Sequence, residues 1–94
     1  MVGKGVRGRM DDKSVKVGVI THYYSKLKAG IISLSKDIRI GDRLKFVGQT
    51  TDFEQVLDDM QYDHKFVDEG KKGQEVGVKV VEKVREGDEV FLVS

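Results

Sequence analysis

Residues 38–48, Ile38-Arg39-Ile40-Gly41-Asp42-Arg43-Leu44-Lys45-Phe46-Val47-Gly48, read as a glycine-aspartate turn that feeds a strand. The same device recurs as Glu86-Gly87-Asp88-Glu89-Val90-Phe91-Leu92-Val93. Glycine takes positive φ without a Cβ clash, and the neighbouring aspartate accepts hydrogen bonds from nearby backbone N–H groups. Beyond each turn the apolar residues alternate, Leu44 with Phe46 and Val90 with Leu92, which is the period of a half-buried strand. Gly41, Asp42, Gly87 and Asp88 are therefore read as structural turn residues of a small antiparallel β protein.

Working outward, Ser14 to Tyr24 alternates, with Val15, Val17, Val19, Thr21 and Tyr23 on one face and Lys16, Gly18, Ile20, His22 and Tyr24 on the other. An interior glycine at position 18 marks a bend, a bulge or a close backbone approach. Ser25-Lys26-Leu27-Lys28 reads as a turn and Ala29 to Leu34 as the returning strand. Residues 50–62 carry two conflicting patterns. Phe53, Val56, Leu57 and Met60 stand at helical spacing, whereas a sheet closing on itself needs a strand here, and the strand reading is preferred. Glu75 to Val84 reads as a further strand, with a bulge where Val80 and Val81 break the alternation. Proline is absent and eleven glycines carry the turns. Short strands at regular intervals, with no convincing long helix, predict a closed or nearly closed six-stranded antiparallel β-barrel over residues 14–94. Residues 1–13, with no periodicity and three cationic residues in the first ten, read as a flexible basic arm.

Composition narrows the classes. With no cysteine in 94 residues there is no disulfide framework and no thiolate metal site. No apolar run approaches the roughly 20 residues that span a bilayer, so the expectation is a soluble cytoplasmic protein without a membrane partner. Net charge is +1, but it is unevenly distributed. Residues 1–50 hold eleven Lys/Arg against four Asp/Glu, and residues 51–70 hold one Lys against seven acids. Such polarity suits an oriented encounter with a charged partner.

Catalytic signals are missing. Neither His22 nor His64 lies in a nucleophile motif, and the pairs Asp11-Asp12 and Asp58-Asp59 would point to opposite faces of a strand. No zinc or calcium spacing and no phosphate-binding glycine loop occurs, so no cofactor, metal or nucleotide site is expected. The Gly3-x-Gly5-x-x-Gly8 run lacks the preceding strand that a dinucleotide fingerprint requires. One cluster combines aromatic rings with cations: His22, Tyr23, Tyr24, Lys26 and Lys28, at a hairpin end. Rings of this kind stack on unpaired bases while lysines hold phosphate.

Residues 39–48, followed by Asp68-Glu69-Gly70-Lys71-Lys72-Gly73-Gln74-Glu75-Val76-Gly77-Val78, resemble the second domain of translational GTPases such as elongation factor Tu. The barrel is also similar to the C-terminal domain of collagenase-like peptidases, the nearest matches there being Val17-Gly18-Val19-Ile20-Thr21-His22-Tyr23 and Thr50-Thr51-Asp52-Phe53. The first resemblance implies a binding barrel that contacts tRNA or ribosomal RNA, and the second a module that docks onto an enzyme. The reading that follows is a non-enzymatic, stand-alone translation-factor-like barrel that binds RNA or a ribonucleoprotein through His22, Tyr23, Tyr24, Lys26 and Lys28. The alternative is a protein-interaction module for a separate enzyme such as a collagenase-like peptidase.

Overall fold

Alternating apolar residues favour extended chain because every second side chain can reach a common core. In the computed structural model, which describes residues 14–93, that preference yields ten strands. They are β1 (Val15–Tyr24), β2 (Ala29–Leu34), β3 (Ile38–Arg39), β4 (Arg43–Val47), β5 (Asp52–Val56), β6 (Gln61–Tyr62), β7 (Lys65–Phe66), β8 (Glu69–Gly70), β9 (Glu75–Lys79) and β10 (Glu89–Val93). Residues 1–13, read above as a basic arm, lie outside the described residues. The described residues contain no helix, and hence none long and apolar enough to cross a membrane. Eight strands form one sheet in the order β5-β4-β10-β1-β2-β9-β6-β7, while β3 and β8 pair separately. All pairings are antiparallel.

The alternation in β4 and β10 survives folding. Leu44 lies opposite Leu92 and Phe46 opposite Val90, and Leu44, Phe46 and Val90 are fully buried. Phe46 also stacks on Phe53 of β5, with ring centroids 4.9 Å apart and planes 14° from parallel. Burial of one such aromatic ring contributes on the order of 2–3 kcal/mol before any gain from stacking.

Strict alternation fails in β1. Its inward residues are Val17, Ile20 and, partly buried, Tyr23, a spacing of three rather than two. The register slips between Lys16 and Gly18 against β10, and between Ile20 and His22 against β2. Each slip inserts a residue, so the next side chain changes face. Gly18 occupies the first irregularity because a Cβ there would stand 2.6 Å from the Ser33 carbonyl oxygen.

Residues 52–60 reconcile the two patterns in their sequence. The strand covers Asp52–Val56. The chain then leaves the ladder, and Leu57 and Met60 both drop into the core with Asp58 between them exposed. The helical spacing thus reflects an irregular segment that buries every third residue, not a helix. Similarly, the strand expected over 75–84 is paired only over Glu75–Lys79. Val80 and Val84 remain buried while Val81 is exposed.

The expected all-β antiparallel class holds, but the closed or nearly closed six-stranded barrel does not emerge: among the described residues no closed barrel is found. Backbone pairing leaves β5 and β7 as the two ends of an eight-stranded sheet, and no ladder runs from β5 to β9. The Gln55 side chain bridges that seam instead. Its Nε2 donates to the Lys79 carbonyl at 2.8 Å, and its Oε1 accepts from the Val81 N–H at 2.8 Å. The ladder is interrupted because residues 57–60 commit Leu57 and Met60 to the core.

The glycine turns form a set of three, not two. In Arg39-Ile40-Gly41-Asp42, Lys71-Lys72-Gly73-Gln74 and Arg85-Glu86-Gly87-Asp88, glycine has φ of 99°, 92° and 93° respectively. The fourth residue's N–H donates to the first residue's carbonyl at 3.1, 3.0 and 3.0 Å. Only the third position takes positive φ, which is the type II pattern. The fourth side chain then accepts the first residue's N–H, at 2.9 Å to Asp42, 2.9 Å to Gln74 and 2.8 Å to Asp88. Each glycine N–H donates to a buried neighbour, Leu57, Leu34 or Ile20, whose own N–H returns a bond to the fourth residue's carbonyl. Every turn is thereby fastened to the core just before the strand it launches.

Candidate functional site

Two hairpin tips sit beside one another on the sheet. The first joins β1 to β2 through Ser25–Lys28 and holds Lys28 at φ 54°. The second joins β6 to β7 through Asp63 and His64, at φ 56° and 65°. A two-residue connection with both central φ values positive is a type I′ turn, whose twist matches that of the strands. Asparagine and glycine are the usual occupants of such a turn, and a histidine there is strained.

Between the tips lies a mostly apolar groove of about 610 Å³. Tyr24 and Leu27 line it from the first hairpin, Ile31 from β2, His64 and Phe66 from the second hairpin, and Lys79 from β9. Leu27 is 63% exposed and Phe66 is 72% exposed. Apolar side chains this open to water, brought together by two separate elements, form a surface suited to a partner.

The five residues singled out from sequence are divided by the fold. His22 and Tyr24 share a face, with ring centroids 4.3 Å apart and planes at 55°. His22 also places Nδ1 3.4 Å from Glu86 Oε2. Tyr23 points the other way and packs against the core, so it is not presented alongside its neighbours. Lys26 and Lys28 are exposed in the turn. Only Tyr24 of the five lines the groove.

Leu27, Ile31, His64 and Phe66 were missed. Leu27 carried a signal, as an apolar residue flanked by lysines in a turn. Phe66 carried little, and the link between positions 27 and 66 depends on β6 reaching β9 and thereby the β2 side of the sheet. Among the described residues no group of three or more His, Asp or Glu is placed to hold a metal ion.

No family model matches the chain. It is 40% identical over 83 residues to an uncharacterized protease of Methanocaldococcus jannaschii. That match takes in 87% of the chain and 20% of the protease, so the chain spans about a fifth of the length of this curated relative. Crystal structures of the C-terminal domain of a Geobacillus thermoleovorans protein described as a U32 peptidase share the fold. One, a selenomethionine variant, has a TM-score of 0.76 at 19% identity, covering 80% of this chain and 95% of that one. The other has a TM-score of 0.76 at 18% identity, covering 83% and 90%. The elongation factor Tu half of the resemblance gains no support from these matches. The chain has the fold of a U32 peptidase C-terminal domain, and its sequence is similar to one fifth of an archaeal protease.

Proposed function

We propose that this domain is a non-catalytic accessory module of a U32-type peptidase, contributing a binding surface to the enzyme. The observation that carries this reading is the 40% identity over 83 residues to a stretch that makes up only a fifth of a protease. Four fifths of that relative lie outside the match, which is room for a separate catalytic part. The fold shared with a peptidase C-terminal domain at a TM-score of 0.76 points the same way. An apolar groove suits docking better than capture of a phosphate backbone, which draws chiefly on cationic contacts.

The test is isothermal titration of the chain into the catalytic part of a U32-type peptidase encoded in the same genome, backed by light scattering of the mixture. A one-to-one complex with a dissociation constant in the micromolar range or tighter is expected. Failure to form any complex, together with salt-dependent binding of tRNA, would overturn the reading in favour of an RNA-binding barrel.

A further inference from the structure

The groove between the β1–β2 and β6–β7 tips is mostly apolar, and no described residue covers it. Its two most exposed large apolar members, Leu27 and Phe66, stand on different hairpins. Both tips are held by residues at positive φ: Lys28 on one, Asp63 and His64 on the other. Lys79 and Asp59 line it, one charge of each sign, and the exposed Lys26 and Lys28 flank Leu27 in the turn.

Resting on the accessory-module reading, we infer that this groove seats the catalytic part of a U32-type peptidase, with Leu27 and Phe66 as anchors. One observation favours that occupant over a second copy of the chain. The similar archaeal protease carries four fifths of its length beyond the matched region, so a domain of this kind is found with a larger body to dock against. The complementary surface is accordingly an apolar ridge. Large apolar side chains at the centre of such a contact carry most of its affinity.

The experiment measures binding of four forms to that catalytic part: the native chain, Leu27→Asp, Phe66→Asp, and Val81→Asp. Val81 is 70% exposed but does not line the groove, so it controls for a charge placed on an exposed apolar site. Circular dichroism melts establish that all four forms fold. Tenfold or greater weakening by each groove variant and unchanged binding by Val81→Asp are expected. Equal binding by all four would overturn the groove as the docking face while leaving the accessory-module reading intact. Absence of binding by the native chain removes that reading and this one together. A native chain that dimerises alone, with the dimer lost in Phe66→Asp, assigns the groove to self-association instead.

Discussion

Gly48 lacks a side chain where the carboxylate of Asp88 needs the space. A Cβ on Gly48 would stand 1.9 Å from Asp88 Oδ1. That carboxylate is nearly buried and accepts from both the Thr51 hydroxyl and the Arg85 N–H. Gly48→Ala is therefore expected to cost about 2–4 kcal/mol, because displacing the carboxylate leaves those donors unpaired. Urea unfolding of Gly48→Ala, Asp88→Ala and the double variant checks this. The double variant should cost little more than Asp88→Ala, since removing the carboxylate removes the clash. Gln55 acts on a neighbouring part of the sheet. Its carboxamide bonds to the carbonyl of Lys79 and the N–H of Val81, the two groups that a residue of a parallel strand would engage. Gln55→Ala should lower stability by about 1–2 kcal/mol and speed hydrogen exchange at the Val81 amide above that at the laddered Val78.

Among the elements, the three type II turns act as fasteners. Each makes the same reciprocal bonds to a buried residue, so strands β4, β9 and β10 begin at fixed points on β5's continuation, β2 and β1. The turn over residues 71–74 is legible in the sequence as a glycine-containing turn but not as a copy of the other two, because Gln74 replaces aspartate; its longer side chain reaches the same N–H at 2.9 Å. The β6–β7 hairpin is the opposite case, since it holds His64 at a positive φ that glycine takes more readily. Replacing His64 with Gly, to give the Asp-Gly pair usual in this turn, relieves that strain and should stabilise the chain by about 0.5–1 kcal/mol in thermal or urea unfolding. The same exchange removes the His64 ring from the groove, so any change in partner affinity is read separately from the gain in stability.

Across the whole molecule, stability and the docking surface reside in different places. The buried set runs through Val17, Ile20, Ile32, Leu44, Phe46, Leu57, Met60 and the valines of β9 and β10. Leu27 and Phe66 stand outside that set. Leu27→Asp and Phe66→Asp should accordingly leave unfolding free energy within about 0.5 kcal/mol of the native chain, as exposed substitutions usually do. A loss of 2 kcal/mol or more in either would mean that the groove is packed in solution. The charge polarity legible in the sequence does not reduce to one basic and one acidic side. The lysine-rich β1–β2 turn and the acid-rich segment that supplies Asp59 and Asp63 meet at the same groove.

The sequence by itself determined the all-β class, the hairpin of β1 and β2, and the strands that follow the turns at Gly41 and Gly87. These depend on short-range physics: period-two burial, and glycine where positive φ is required. It also carried the peptidase resemblance, in residues that are mostly structural. Tertiary structure alone decided where β1 changes face, since its slips arise from pairing with β10 and β2 and not from β1's own pattern. It decided too that Leu57 and Met60 enter the core without a helix, and that a glutamine side chain rather than a backbone ladder spans the seam. The groove belongs with these. Leu27 and Phe66 are 39 residues apart in sequence, and they become neighbours only because β2, β9 and β6 pair in that order. No local pattern encodes an order of pairing that is set by which strands bury their apolar faces together.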